Sequence, residues 1–400
     1  MSEEPFEEEF IPLTSEGEPL TSIVFKGVKE EARKIIEFLK TDLLLEKRDY
    51  YRNILSNNGM LRKIIQRNYT KYCCLALDTS FTSPPLELTG GKLLVITRSH
   101  VFYGCRETGS IERTSTVGYV KFIQENETIG TPYSKIIERE FVVNVLKEKK
   151  NGRQEVDLVM LDGELFPRIP PGYVGRKSSE SLIIKAYNRV LDLTQEMLEL
   201  AEETSTIIVG IVKRVYGRDL QVVLGDPNIK INDKAFSTFI LDNGEWINIG
   251  SYSEIAVSLS EYIRNYARNL EPRSLRSLNE RLAWITRVID CAPKTGDIRV
   301  AVYKAENPTY FMIATKIEAL VPSGKQLDEI ISYLSRITGV NGVPHPIDIV
   351  DSMGIIKREL LYLVQQQLYS ELTSTMKNNK LALSIAGLTN PEKMTRVGFR

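Results

Sequence analysis

Short, unbroken apolar runs alternate along the chain with stretches in which apolar residues recur every three or four positions. Three such runs, at residues 72–78, 156–162 and 206–213, predict buried strands, and the first two end in an aspartate. Between the second and third runs, residues 178–203 have the spacing of an amphipathic helix. Strand, helix and strand in this order predict a parallel pair with a right-handed crossover.

The same patterns predict the other elements of a mixed α/β fold. They are one or two helices within 27–72 interrupted at 57–59, strands at 92–97 and 101–103 beside the first strand, a helix at 134–150, an arginine-rich helical stretch at 253–287, a hairpin of strands 298–304 and 310–318, and a last helix at 347–372.

Composition excludes several classes of protein. With 42% hydrophobic and 26% charged residues, the chain is neither disordered throughout nor fibrous. No apolar run approaches the ~18 residues that span a bilayer, and no secretory signal opens the chain, so we expect a cytoplasmic protein without a membrane partner. The four cysteines lack paired CxxC spacing, and we expect neither a zinc site nor a disulfide framework. With two histidines, a metal would be held mostly by carboxylates, which favours magnesium or manganese.

Charge is distributed unevenly although the net charge is zero. Residues 1–20 contain seven glutamates and no lysine or arginine, so the rest of the chain carries a net charge of +7 and could face a polyanion. We expect the acidic segment 1–22 to be a flexible, solvated tail, with a docking strip for a basic partner as the alternative.

Asp78 and Asp162 are the main candidates for chemistry. Each ends a predicted buried strand, and carboxyl ends of parallel strands meet at one edge of a sheet. Two carboxylates there could share two divalent ions ~3.5–4 Å apart, the arrangement that hydrolyses phosphodiesters. Glu140 or Glu138 on the helix between them could supply a third ligand, with Arg139 pointing elsewhere. The alternative is that the aspartates merely cap the turns that follow.

Further candidates follow the third strand and open the last helix. Lys213 and Arg214, with Arg218 beyond them, could hold a phosphate or form a solvated strand end. Arg264 and Arg268 share a predicted helix face. His345, between two prolines, could be a site residue or an ordinary loop residue, and Asp351 lies on the first turns of the last helix. No GxxxxGK[ST] loop occurs, which argues against an ATP-driven motor.

These segments, taken in order, resemble the NurA nuclease family of archaea and bacteria. They are Leu-Ala-Leu-Asp78-Thr-Ser, Glu-Arg-Glu140, Leu-Val-Met-Leu-Asp162-Gly-Glu-Leu, Val-Gly-Ile-Val-Lys213-Arg, Gly342-Val-Pro-His-Pro and the terminal Gly398-Phe-Arg400. The resemblance spans about residues 70–400.

What the resemblance implies is a ribonuclease H-like fold and a homodimer that cleaves DNA with manganese or magnesium, two ions per site. It also implies work with the hexameric helicase HerA in resecting broken DNA ends. By position, Asp78, Glu140 and Asp162 would be metal ligands, and Lys213 would be catalytic. Their positive charge, and not the resemblance, leads us to expect DNA contacts at Lys213, Arg214, Arg218, Arg264 and Arg268.

One segment departs from the family pattern, which has a tyrosine directly after the glycine and a histidine eight residues later. Val343 and Asp351 stand at those positions. We therefore expect Asp351 to act as a carboxylate ligand and His345 as a proton donor. A rival reading is a catalytically weak or silent DNA-holding paralogue. An actin-like ATPase is a weaker rival, because Asp78-Thr-Ser-Phe lacks the glycine-rich turn that a nucleotide phosphate needs.

The expected organisation therefore has three parts. They are the tail (1–22), an N-terminal helical segment (23–70) and a ribonuclease H-like nuclease domain (71–400) with the arginine-rich helical insertion at about 252–290.

Overall fold

The computed structural model describes residues 20–41, 47–65, 71–106, 113–123, 129–170, 172–174, 181–215, 217–306, 312–376 and 384. Most of the predicted acidic tail (1–19) and the terminal Gly398-Phe-Arg400 lie outside these residues. The described residues form one mixed sheet with helices on both faces, which confirms the predicted α/β class.

Helices and strands follow one another in this chain order: α1 (Leu20–Thr41), α2 (Arg48–Asn57), β1 (Leu61–Lys63), β2 (Cys74–Phe81), β3 (Leu86–Leu88), β4 (Gly91–Tyr103), β5 (Thr114–Ile123), α3 (Gly130–Lys150), β6 (Leu158–Asp162), α4 (Leu182–Glu203), β7 (Ile207–Val212), α5 (Asp219–Val223), α6 (Asp233–Ile240), β8 (Glu245–Ser251), α7 (Tyr252–Tyr266), α8 (Pro272–Cys291), a 3-10 helix (Pro293–Asp297), β9 (Arg299–Lys304), β10 (Thr315–Leu320), α9 (Leu327–Ile337), α10 (His345–Met353) and α11 (Arg358–Thr375).

The sheet has the strand order β1-β8-β9-β10-β7-β6-β2-β4, with β5 along one edge of β4 and β3 paired to the first residues of β4. Strands β2, β6 and β7 are parallel to one another, and the other pairs are antiparallel. Helix α4 makes the predicted crossover from β6 to β7. The meander β2-β4-β5 followed by parallel β6 and β7 gives the order β5-β4-β2-β6-β7, which is the ribonuclease H-like core.

Each face of the sheet has its own apolar core. Leu75, Leu77 and Leu161 pack with α3 and α4, and the same cluster continues under α7 and α8. Ala76 and Met160, which alternate with them along β2 and β6, pack instead with α9 and α10 on the other face. This alternation follows from the two-residue period of a strand, and it decides the face to which each later residue belongs.

Several predicted boundaries were wrong because pairing, rather than local pattern, sets strand length. The two strands predicted at 92–97 and 101–103 are one strand, β4, which pairs with both β2 and β5. Strand β2 runs on to Phe81 for the same reason, so Asp78 lies within the strand and not at its tip. Its parallel pairing with β6 does end at Leu77, one residue earlier.

The helices at the two ends of the chain also differ from the prediction. Helix α1 begins at Leu20, inside the predicted tail, and a short strand follows the Asn57-Asn58-Gly59 break. The last helix is interrupted at Gly354, whose carbonyl oxygen accepts a hydrogen bond from Thr97 Oγ1 (2.8 Å). Among the described residues, no helix is long and apolar enough to cross a membrane.

Cysteine pairing was predicted wrongly. Cys73 and Cys105 form a disulfide, because the antiparallel register of β2 and β4 pairs Cys74 with Tyr103 and so brings the residues just beyond them together. Sequence spacing does not reveal a bridge that depends on strand register. Cys74 is free and buried, as a small apolar residue would be.

Candidate active site at the edge of the sheet

Three aspartates converge where the parallel strands β2 and β6 separate. Asp78 follows Leu77 and Asp162 follows Leu161, and these two leucines are register partners, so the aspartates lie side by side on neighbouring strands. Strand alternation places both on the face covered by α10, which brings Asp351 to them. One carboxylate oxygen from each of the three residues lies within 4.8 Å of the other two.

Lys213 bridges two of these carboxylates. It follows the buried strand β7, and its Nζ lies 3.0 Å from Asp162 Oδ2 and 2.9 Å from Asp351 Oδ2. Burial opposes the charged ammonium, but the hydrogen bond to Asp351 and the charge of Asp162 outweigh it and raise the pKa of Lys213. Lys213 is therefore a permanent cation here, suited to hold an anion and not to accept a proton.

Asp78 is the most buried of the three aspartates, with 7% of its surface exposed. Burial, followed by the charges of Asp162, Glu138 and Asp351, raises its pKa to about 7. Ser80 Oγ donates a hydrogen bond to Asp78 Oδ2 at 3.2 Å. Gly354 closes the site, because a Cβ there would lie 3.1 Å from the same oxygen. Burial also raises the pKa of Asp162, although Lys213 opposes the shift.

The structure brings Glu138, and not Glu140, toward the aspartates. Glu138 is fully buried, and its charge acts on Asp78. It accepts hydrogen bonds from Lys135 Nζ (2.9 Å) and Arg139 Nη1 (2.8 Å). Glu140 is two residues along α3, about 200° around the helix. It lies on the outer side of α3 and pairs with Arg189 at 3.1 Å.

His345 does not join the three aspartates. It opens α10, and its ring lies 6.2 Å from that of Tyr103. Tyr103 pairs with Cys74, four residues along β2 from Asp78, or about 13 Å of strand. The side chain is exposed. The two prolines that flank it do begin the helix that carries Asp351, as expected for residues with a fixed φ.

The predicted DNA-contacting arginines are spread more widely than the aspartates. Arg214 and Arg218 are exposed near the end of β7. Arg264 lies on the last turn of α7, but Arg268 lies beyond that helix, so the two do not share a helix face as predicted.

Sequence reasoning missed two buried charged residues that hold the backbone after Asp162. Glu318 on β10 accepts hydrogen bonds from the backbone N–H groups of Leu165 (2.8 Å) and Phe166 (2.7 Å) and from the Tyr252 hydroxyl (2.5 Å). Arg139 was expected to point elsewhere. It is 1% exposed and donates to the carbonyl oxygens of Glu164 and Leu165, both at 3.2 Å.

Arg139 also joins this backbone segment to Glu138. One set of hydrogen bonds therefore positions both Glu138 and the segment that follows Asp162. We name Glu318 and Arg139 the backbone clamp. A charged residue within the apolar pattern of β10 was the one available sequence signal, and it does not reveal which backbone groups the side chain contacts.

Comparison with known proteins identifies the family of this chain. The family model described as the NurA domain matches residues 133–353, more than half of the chain. The chain belongs to the NurA family. No curated protein matches it in sequence.

Solved NurA structures have the same fold. The NurA nuclease from Sulfolobus solfataricus is 13% identical, with a TM-score of 0.54 over 90% of this chain and 99% of that one. A NurA structure bound to dAMP and manganese is 12% identical, with a TM-score of 0.51 over the same shares of the two chains.

The carboxylates of this NurA-family chain suit a hard divalent cation. Three carboxylates within 4.8 Å supply the oxygen ligands that manganese and magnesium take, and Glu138 adds a fourth acid nearby. Burial and the neighbouring carboxylates raise the pKa of Asp78, and a cation among them would offset both effects. Asp78, Asp162 and Asp351 are therefore the residues that would hold such an ion.

We predict that Asp78→Asn stabilises the metal-free protein in a pH-dependent manner. Because the pKa of Asp78 is raised from 3.8 to about 7 in the folded state, deprotonation weakens folding as pH rises through that range. Chemical denaturation in EDTA should show no gain near pH 4 and a gain approaching about 4 kcal/mol at pH 8. Asp290→Asn, at an exposed position, is the control. A less stable Asp78→Asn protein at pH 8 would contradict this account.

We also predict that Glu318→Met loosens the segment after Asp162, whereas Glu318→Gln does not. Methionine leaves two buried N–H groups without an acceptor, at a cost of about 1–3 kcal/mol each. A glutamine oxygen can accept from both N–H groups while its amide donates to Tyr252. Hydrogen exchange at the Leu165 and Phe166 amides should be faster only in Glu318→Met. Equal protection in both variants would show that the carboxylate does not hold this segment.

Proposed function

We propose that the protein is a metal-dependent nuclease that cleaves DNA. The observation that carries this proposal is the group Asp78, Asp162 and Asp351, with a lysine that remains charged, at the edge of the sheet. Membership of the NurA family supports it, and the related structure bound to dAMP and manganese suggests both substrate and ion.

Each residue has a role that follows from its surroundings. Asp78 and Asp162 hold the cation from the rigid sheet, and Asp351 holds it from α10. We propose Glu138 instead of Glu140 as the fourth acid, because the charge of Glu138 acts on Asp78 while Glu140 pairs with Arg189. Four acids are enough ligands for two ions, manganese or magnesium. A bound divalent ion lowers the pKa of a water molecule and offsets negative charge on the phosphate.

Lys213 and the arginines near it would hold the DNA backbone. Lys213 carries a fixed positive charge beside Asp162, where a phosphate would have to lie. Arg214 and Arg218 continue this charge beyond β7, and Arg264 and Arg268 extend it along the insertion. His345 is not included among the catalytic groups, because it lies against Tyr103, away from Asp78.

Family membership supports proposals about partners as well. We propose that the chain works as a homodimer with a HerA-type hexameric helicase in resecting DNA ends at double-strand breaks. Helix α1 presents exposed apolar side chains, among them Phe25 (66% exposed) and Ile35 (58%), which a second protein could cover. Light scattering of the purified protein, alone and with the helicase, tests both proposals.

We predict that Asp78→Asn, Asp162→Asn and Glu138→Gln each lower DNA cleavage in manganese more than about 100-fold, beyond the usual effect of losing an outer-shell partner. Degradation of labelled single- and double-stranded DNA measures this. Glu140→Gln is the matched control, two residues from Glu138 on the same helix, and should cleave as the parent does. A loss in Glu140→Gln with parent-like cleavage in Glu138→Gln would return the assignment to Glu140. Full activity in either aspartate variant would refute the nuclease proposal.

Asp351 and His345 can be separated by a manganese titration. We predict that Asp351→Asn raises the manganese concentration for half-maximal cleavage about 10-fold or more, since a half-exposed ligand is lost while the two sheet aspartates remain. His345→Asn should overlay the parent in both metal demand and maximal rate, because His345 lies outside the group. A lowered maximal rate in His345→Asn would show that helix α10 brings His345 inward on DNA binding.

A further inference from the structure

A large cavity lies on the face of the sheet opposite the three aspartates. Its volume is about 1130 Å³, and it is enclosed by β7, β10, α7 and α8. Two of its lining residues lie next to the candidate active site in sequence, since Glu164 is two residues after Asp162 and Val212 directly precedes Lys213. Two residues of chain span at most about 7 Å, so the cavity and the aspartates share the same edge of the sheet.

Aromatic side chains supply much of the cavity wall. Phe166 and Tyr252 stack at 3.9 Å between ring centroids, and Trp284 meets Phe166 edge-on at 5.2 Å. Tyr262, 2% exposed, also borders the cavity. Within the described part of the chain, the Tyr262 hydroxyl and the Trp284 indole N–H are buried without a hydrogen-bond partner. Orphaned buried donors are uncommon in folded proteins, and here both belong to residues that line one cavity.

Charged side chains of both signs line the same space, six of them basic and five acidic. Arg168 and Arg281 line the cavity, and burial together with the charge of Arg168 lowers the pKa of Arg281 to about 10. Arg218 also lines it, and the charge of Arg218 acts on the Tyr262 hydroxyl. The arginine-rich stretch noted in the sequence thus contributes Arg273 and Arg281 to this cavity, and not Arg264 or Arg268.

Carboxylates in the deep part of the cavity are already engaged. Asp219 pairs with Arg281 and with Lys316, whose Nζ lies 2.6 Å from Asp219 Oδ2. Glu318, part of the backbone clamp, accepts a hydrogen bond from the Leu165 N–H group, and Glu164 pairs with Arg168 at 2.6 Å. The same pairs engage Arg168 and Arg281, so Arg218 is the arginine best placed to meet a ligand. Unsatisfied donors, aromatic side chains and Arg218 together suit a ligand with a flat ring and many acceptors. A nucleotide has both features, since bases stack on aromatic rings and phosphates pair with arginine.

We propose that this cavity binds a nucleotide, and that it takes a nucleotide of an unpaired DNA strand next to the phosphate that the three aspartates approach. The inference rests on the proposed nuclease function and adds a second binding site to it. A strand could cross the edge of the sheet at Gly163, with its scissile phosphate on one face and a neighbouring nucleotide on the other. A free nucleotide has the same base and phosphate, so the test has to distinguish a free nucleotide from a nucleotide within a DNA strand.

Trp284 offers a direct signal. The chain has two tryptophans, and the other, Trp246, is 1% exposed on β8. Tryptophan emission is measured in EDTA while dAMP, a short oligothymidylate or inorganic phosphate is added at constant ionic strength. Without metal, the aspartates repel a phosphate and do not compete for it. We expect dAMP and the oligonucleotide to change the emission, and Trp284→Phe to abolish the change.

Tyr262→Phe tests the cavity without altering its shape. Removing an unpaired buried hydroxyl should leave the melting temperature unchanged or higher, yet binding should weaken about 3- to 10-fold if the hydroxyl donates to the ligand. Arg218→Gln should weaken binding and reduce its salt dependence. Arg276→Gln is the matched control, because Arg276 lies on α8, is 82% exposed and does not line the cavity.

Each outcome decides a part of the proposal. Unchanged emission with both nucleotide probes, or parent-like affinity in Tyr262→Phe, overturns it. If inorganic phosphate and dAMP bind with equal affinity, the cavity recognises only an anion, and the proposal of a nucleotide site is wrong. If the oligonucleotide binds more tightly than dAMP, the result supports a nucleotide of a DNA strand as the ligand. If dAMP binds more tightly, that ligand is ruled out in favour of a free nucleotide. The cavity proposal is tested by emission of the parent protein in EDTA and the cleavage proposal by DNA degradation in manganese, so failure of one and failure of the other give different results.

Discussion

The constraint on which the site depends is that the fold holds Asp78 and Asp162 side by side and largely out of water, where burial and neighbouring carboxylates both oppose their charged forms. Asp78 cannot move from Asp162, because both side chains leave neighbouring strands whose register is fixed by the pairs that precede them. Neither can they gain much water, since α10 covers that face and Gly354 lies against Asp78. The cost appears as the raised pKa of Asp78, caused first by burial and then by the neighbouring charges. A cation between the carboxylates would relieve it, so the same arrangement that weakens the metal-free fold creates affinity for an ion.

Sequence alone was sufficient for the two aspartates on the sheet, because each follows an unbroken apolar run and strand alternation then determines its face. Sequence alone was not sufficient to choose the acid that α3 contributes. Glu138 and Glu140 fit the amphipathic pattern of α3 equally well, and only the rotation of α3 about its axis, set by packing against β2 and α4, selects between them. Arg139 was misjudged for a related reason, since a buried arginine is unexpected until its carbonyl and carboxylate partners are known.

Residues 342–354 are a second region where the sequence pattern does not determine which side chains reach the site. Asp351 reaches the site and His345 does not, although both lie on α10, because six residues separate them by about 9 Å along the helix. The break at Gly354 is equally a tertiary feature, because the helical pattern of residues 347–372 continues through it. The disulfide between Cys73 and Cys105 depends on the register of β2 and β4, which no spacing of cysteines in the sequence specifies.

Residues 162–166 connect the two faces of the sheet. Asp162 ends β6 on the face of α10, whereas Glu164 and Phe166 line the cavity on the face of α7 and α8. Gly210 permits this crossing, because a Cβ there would lie 2.6 Å from the Gly163 carbonyl oxygen. The backbone clamp holds the same segment from β10 and α3. A ligand that moved Phe166 would therefore act on the hydrogen bonds that position Asp162 and Glu138, and five residues of backbone would connect the cavity to the carboxylates.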